Sequence, residues 1–162
     1  MMLDLNNLQQ SNYKFILPKA PNLEFRVQRV RLPEINLGTA EVPSPFVRIK
    51  TPGNLTYSPL YVTFTLSESM AEYEEIFNWM MEIGNPDSTE NYPRIFRDTM
   101  SDLEVIVLSS ASKPIKKFIF TDGFPIHLGE APFDATVADP TSSLINMTAG
   151  FDYTSYKMVL PT

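Results

Sequence analysis

Prolines constrain this chain more than any other residue type. Fourteen of its 162 residues are proline, against six glycines. Each proline lacks a backbone N–H and so cannot donate within a helix interior or a central sheet ladder. The chain is thereby cut into short segments, and most of these are rich in β-branched and aromatic residues, the composition of a mainly β protein. Leu23 to Val30 sets Leu23, Phe25 and Val27 against Glu24, Arg26 and Gln28, the period of a half-buried strand, and Leu32-Pro33 then stops it. Leu60, Val62, Phe64 and Leu66 alternate more cleanly with Tyr61, Thr63 and Thr65. Leu103 to Leu108 and Ile115 to Phe120 flank the polar stretch Ser109 to Pro114 and read as a hairpin. A last strand is predicted over Ile145 to Val159, with a bulge where the pattern changes phase near Ser155 and Tyr156.

One helix is predicted within this β series. Ser69 and Glu72 have the spacing of a capping box, and Met70, Tyr73, Ile76, Phe77, Met80 and Ile83 form one apolar stripe. Gly84 stands at the C-cap position, and Glu72, Glu74 and Glu75 lie where the helix dipole favours negative charge. Trp79 is expected at the edge of the contact between this helix and the sheet. Asn85 to Ser101, with Pro86, Asp87, Ser88, Pro93 and Arg94, reads as a long loop.

The net charge of −6 leaves no diffuse basic surface for neutralising a phosphate backbone, although an acidic wall could let a like-charged polymer pass without sticking. Without cysteine there are no disulfides, thiol nucleophiles or thiolate metal sites. Met1 to Gln10 has neither a basic n-region nor a continuous apolar h-region, so no signal peptide is expected, and no apolar run approaches the roughly 20 residues of a membrane helix. The expectation is one soluble domain, residues 1–162, without a membrane anchor.

Catalytic chemistry has little to draw on. His127 is the sole histidine, placed in the turn-rich stretch Phe124-Pro125-Ile126-His127-Leu128-Gly129, and no serine or cysteine motif stands near it. Asp134 and Asp139 could suggest paired carboxylates, but isolated loop aspartates are more often turn formers. Phosphate-loop, dinucleotide-loop and zinc-protease motifs are absent. Tyr57, Tyr61 and Tyr92 near Arg48, Lys50 and Arg94 could stack on single-stranded nucleic acid, a reading that the acidic chain disfavours relative to packing or interface roles. No catalytic residue, metal site or cofactor is expected.

Val42 to Pro59 is the most unusual segment. Pro43, Pro45, Pro52 and Pro59 surround the extended piece Phe46-Val47-Arg48-Ile49-Lys50 and the turn Thr51-Pro52-Gly53-Asn54. It reads as a projecting hairpin or arm whose Arg48 and Lys50 could meet an acidic neighbour, with an ordinary surface loop as the alternative. The subunit-interface candidates are Pro43, Pro45, Phe46, Arg48, Lys50 and Tyr57.

The order of these parts resembles the tail-tube family of myophages, similar in fold to the tube subunits of other contractile injection systems. The resemblance rests on Pro21 to Val27 as a first long strand followed by Leu32-Pro33, on the proline-rich arm, and on Tyr61 to Leu66 leading into a helix that carries Ile76-Phe77-Asn78-Trp79. Phe124-Pro125-Ile126 and Gly150-Phe151-Asp152-Tyr153 complete it. It implies a small β-barrel or sandwich with one flanking helix, an N-terminal segment 1–20, the arm at 42–59 and a loop at 85–101. It also implies a non-enzymatic virion protein, assembled in the host cytoplasm as stacked hexameric rings. Sheath, tape-measure and baseplate proteins are the implied partners, with DNA only in transit. Joined to the strand alternation, the resemblance makes Glu24, Gln28, Thr63, Thr65, Asp152 and Thr154 candidates for a lumen wall, with Arg26 its one basic exception. A tube-initiator or baseplate adaptor of the same fold is the alternative within the class. A small-ligand-binding β-barrel or a hydrolase using His127 is the alternative outside it.

Overall fold

A computed structural model describes residues 7–43, 45–84, 96–136 and 144–160. Its strands are β1 (Tyr13–Ile16), β2 (Val27–Arg31), β3 (Ile35–Val42), β4 (Ile49–Tyr57), β5 (Leu60–Thr65), β6 (Ser101–Leu108), β7 (Pro114–Leu128), β8 (Asn146–Asp152) and β9 (Ser155–Val159). Two helices, α1 (Pro21–Arg26) and α2 (Ala71–Ile83), and a 3-10 turn at Phe96–Thr99 complete the described elements. The protein is mainly β, as expected, with two helices rather than one. The body strands run β1-β6-β7-β8-β5-β2, with β9 also on β7, and the two-stranded β3–β4 sheet stands apart. No closed barrel forms among the described residues, and the body has the arrangement of a sandwich.

One strand, β7, and the connection from β8 to β9 join the halves of that sandwich. The first part of β7 pairs with β6 and β9, and its last part, Phe124 to Leu128, pairs with β8. The bend lies at Asp122 and Gly123, where Asp122 adopts a left-handed φ of 55° and its amide donates to the Asp102 carboxylate at 3.1 Å. A side chain at Gly123 would overlap Leu103 and the Ser101 carbonyl, so the strand can cross here only with glycine. The returning chain changes partner at the same level. The expected continuous strand over 145–159 is two strands, broken at Tyr153 and Thr154, where the Thr154 amide donates to the Thr121 carbonyl at 3.0 Å. A change of sheet, rather than a bulge, accounts for the phase change.

The core lies between the halves. Leu60, Val62 and Phe64 of β5 and Met147, Ala149 and Phe151 of β8 are buried against Leu103 and Val105 of β6, Phe120 of β7, and Ile76 and Trp79 of α2. Full burial of a side chain of this size contributes about 1.5–3 kcal/mol. β5 thus follows the alternation expected for it. In α2, however, the buried positions are Glu72, Ile76 and Trp79, while Phe77 is 45% exposed. Trp79 is therefore a core residue rather than an edge one, and its indole N–H donates to the Thr99 carbonyl at 2.6 Å.

Two local expectations are corrected. Leu23 to Arg26 is not strand but the body of α1, which has Pro21 in its first turn. The amides of Asn22 and Leu23 donate to the Glu75 carboxylate of α2 at 3.1 and 3.4 Å, so a distant side chain supplies the acceptors that the helix start needs. The expected Ser69 capping box does not form. Met70 is the N-cap in the left-handed region, and Glu72 reaches back instead to the Ser67 amide at 3.1 Å and hydroxyl at 2.7 Å. At the other end Gly84 closes the helix as expected, its amide donating to Met80 O at 2.9 Å. Of the expected loop Asn85 to Ser101, residues 85–95 lie outside the described residues, 96–99 form the 3-10 turn and Ser101 opens β6.

Candidate assembly surfaces

The β3–β4 hairpin begins at Ile35, before the proline-rich segment, and pairs Ile35 with Tyr57, Leu37 with Leu55, Glu41 with Lys50 and Val42 with Ile49. Every residue of β3 is exposed. Both strands are sheet edges, which is why Pro52 fits within β4 without costing a central ladder its donor. The register shift between Leu37 and Thr39 falls where Gly38 crosses Gly53, so closely that a Cβ on Gly53 would lie 3.0 Å from the Gly38 carbonyl oxygen. The arm is fixed to the body at its base. The Ser58 amide donates to the Glu34 carbonyl at 3.0 Å, and the Tyr57 ring lies 6.1 Å from Tyr153 and 6.0 Å from Tyr156. The Tyr153 hydroxyl donates to Ser58 O at 2.9 Å, and burial, followed by the neighbouring Tyr156, Asp152 and Tyr57, pushes its pKa up to about 12.

Of the expected interface residues, Pro43, Pro45, Phe46, Arg48 and Lys50 therefore sit at or beside the arm's tip, whereas Tyr57 anchors its root. Phe46 is 96% exposed. Arg48 forms an ion pair with Glu41 of the same arm at 3.1 Å. Ile35 and Leu37, also exposed, extend the arm beyond the expected segment 42–59, and their alternation directly after Leu32-Pro33 is the sequence signal for it.

The expected lumen residues do not share one face. Glu24 lies on α1, where its carboxylate accepts from the Leu17 amide at 3.3 Å. Gln28 stands exposed at the irregularity between Val27 and Arg29. Thr63 is on the outward face of the β2–β5–β8 sheet, its hydroxyl 3.2 Å from that of Thr148. Thr65 is buried at the end of β5 and donates to Asn146 at 2.9 Å. Asp152 ends β8 and accepts from the Tyr153 amide at 2.9 Å, and Thr154 lies in the break before β9. The basic residue expected there, Arg26, belongs to α1 and lies 3.6 Å from Glu72. Arg29 and Arg31 take its place, opposite Thr63 and Tyr61 in the ladder. A shallow cleft of about 240 Å³ forms among Arg31, Tyr61, Thr63 and Thr148.

A second concavity, of about 470 Å³, runs between α2 and the end of β7, lined by Tyr73, Phe77, Met80, Met81, Gly84, Ile126, His127 and Leu128. His127 is thus an exposed strand residue opposite Gly150, not part of a turn. Asp134 forms an aspartate turn, accepting from the Thr136 amide at 2.8 Å and hydroxyl at 2.6 Å, bonds that hold its carboxyl below the usual range. Asp139, Tyr92 and Arg94 lie outside the described residues.

The profile of a family described as phage tail tube protein matches residues 2–159. No curated protein sequence matches the chain. Among solved structures, the anti-feeding prophage tube terminating cap is similar with a TM-score of 0.72 and 12% identity, over 99% of this chain and 96% of that one. The tube-bearing complex of an extracellular contractile injection system, PVC sheath-tube in the extended state, gives a TM-score of 0.70 and 14% identity over 98% and 95%. Hcp1 from Flavobacterium johnsoniae gives 0.50 and 15% over 91% and 94%.

Proposed function

The chain belongs to the phage tail tube protein family, and from that premise we propose that it is a structural subunit that forms hexameric rings, stacked into a tube whose channel conducts DNA. The observation that carries this reading is the β3–β4 arm, a hairpin whose apolar residues Leu37, Val42, Phe46, Val47, Ile49 and Leu55 are all exposed in the single chain. A two-stranded hairpin is marginal by itself, and unpaired edges of this kind are usually covered. Neighbouring copies supply that cover here. Heterologous contacts, in which one patch of a copy meets a different patch of the next, are the kind that build rings and filaments.

In this arrangement the outward face of β2, β5 and β8 lines the channel, with Thr63 and Thr148 offering short hydroxyls and Arg29 and Arg31 adding positive charge. DNA passes along a hydrated wall of hydroxyls and positive charge rather than a purely acidic one. Sheath, tape-measure and baseplate proteins are the partners of such a tube, which forms in the host cytoplasm and functions in the virion. The role is non-catalytic.

The test is electron microscopy of the purified protein, alone and with Arg48 and Lys50 both replaced by Glu. Rings or tubes with a central hole are expected from the native chain, with few or none from a double variant that still folds. Long tubes indicate a many-copy subunit and isolated rings a tube-end adaptor. A protein that stays monomeric at high concentration contradicts the proposal.

A further inference from the structure

We propose that the tip of one copy's arm docks in the apolar groove between α2 and the end of β7 of a second copy, with Phe46 as the side chain that enters it. The inference rests on the reading of the arm as an assembly element and adds where the arm binds.

Phe46 is 96% and Val47 69% exposed, so nothing among the described residues of their own chain covers them. Removing such a ring from water is among the larger single contributions available to an interface, and buried aromatic anchors dominate binding energies. The groove supplies the matching surface. Phe77 and Ile126 are 45% and 41% exposed on its opposite walls, between Met80, Met81 and Leu128, and Tyr73 and Phe77 stack at 6.1 Å along one side. Its volume of about 470 Å³ exceeds what one aromatic side chain needs and leaves room for the residues beside it. Methionine-lined surfaces adapt to an incoming group without a fixed shape. The floor also lies at a sheet edge, since β7 beyond Gly123 pairs only with β8 among the described residues.

Charge selects a second copy as the occupant. Lys50 and Arg48, the latter paired with Glu41 in the single chain, follow Phe46 closely, whereas exposed acids stand next to groove residues: Glu74 beside Tyr73 and Glu130 two positions beyond Leu128, Glu82 being taken up by Lys19 at 3.0 Å. A basic tip therefore meets an acidic rim, an arrangement that favours encounter and fixes orientation. Tip and groove are different surfaces of one chain, so the contact is head-to-tail and can repeat from copy to copy.

The chain contains no cysteine, so only introduced thiols can bridge. Two single variants, Phe46→Cys and Phe77→Cys, one carrying a size tag, are mixed at a concentration above the raised threshold that loss of the Phe46 ring entails, allowed to assemble and oxidised mildly. Non-reducing electrophoresis should then show the mixed dimer several-fold above either homodimer, and above a Phe46→Cys mixture with Thr136→Cys. Phe46→Ala should raise the concentration needed for assembly at least about tenfold, with the monomer's melting temperature unchanged, while Phe46→Trp should retain assembly. Rings or tubes that form without the mixed bridge overturn the docking and leave the proposed function standing. Failure of the native chain to assemble overturns both. A bridge formed within isolated monomers of the doubly substituted Phe46→Cys, Phe77→Cys chain places the tip on its own groove and overturns docking between copies.

Discussion

The β5–β8 pair and the β3–β4 arm are built from similar residues and opposite circumstances. Both are antiparallel ladders with apolar and β-branched side chains. In the first, Leu60, Val62, Phe64, Met147, Ala149 and Phe151 are essentially inaccessible to solvent. In the second, Ile35, Leu37, Val42, Ile49 and Leu55 are about half exposed or more. Backbone hydrogen bonds make a strand in either setting, but they contribute little net stability because the unfolded chain bonds to water. Burial supplies the difference. The pair in the body is complete within one chain, whereas the arm leaves its apolar face exposed and, in the proposed tube, is completed by a neighbouring copy.

Core and arm substitutions separate the two most sharply. Phe64→Ala should lower the unfolding free energy of the monomer by about 3–5 kcal/mol, measured by denaturant titration. Leu55→Ala should change it by less than about 0.5 kcal/mol while impairing assembly. Equal losses from both would remove the contrast. A smaller effect is expected for Trp79→Phe, which keeps most of the buried ring and removes the 2.6 Å indole bond to the Thr99 carbonyl while the Lys19 ammonium at 3.1 Å remains; about 0.5–1.5 kcal/mol should be lost.

The smallest effects are on pH dependence. At Tyr153 burial and its anionic and phenolic neighbours raise the folded pKa from 10.0 to about 12. Stability should therefore be intact below pH 10 and fall as pH rises through that interval, with Tyr153→Phe flattening this part of the melting-temperature profile. Glu72 behaves in the opposite sense. Burial works to raise its pKa, but the Ser67 hydroxyl and amide bonds and the nearby Arg26 hold it below its usual 4.5. Its contribution is present above that value and is lost as pH falls below it, a dependence that Glu72→Gln should remove.

The parts legible in the sequence are those whose signals are local. The alternation of Leu60 to Leu66 and the hairpin around Ser109 to Pro114 needed only period and turn chemistry, and Gly84 ended α2 where its position implied. Leu23 to Arg26 misled because Leu23, Phe25 and Val27 alternate like a strand, yet in α1 Leu23 is buried and Phe25 is 83% exposed. What decided it was Pro21 together with the Glu75 carboxylate, brought from another element by the tertiary fold. The switch of β8 into β9 was visible as a change of phase but not as a change of sheet. The candidate surfaces divide the same way. The tip residues of the arm could be found from prolines and basic charge. Arg29, Arg31 and the groove beside Phe77 depend on which strands and helices become neighbours, and no single segment records that.

The central claim is that the arm is solvent-exposed in one copy and covered in the assembly, and amide hydrogen exchange tests it most directly. Exchange is compared peptide by peptide between dilute monomer and assembled particles. Residues 35–57 should exchange rapidly in the monomer and slow by at least about a hundredfold on assembly, while peptides from β5 and β8 are well protected in both states. Particles in which residues 35–57 exchange as fast as in the monomer would contradict the account.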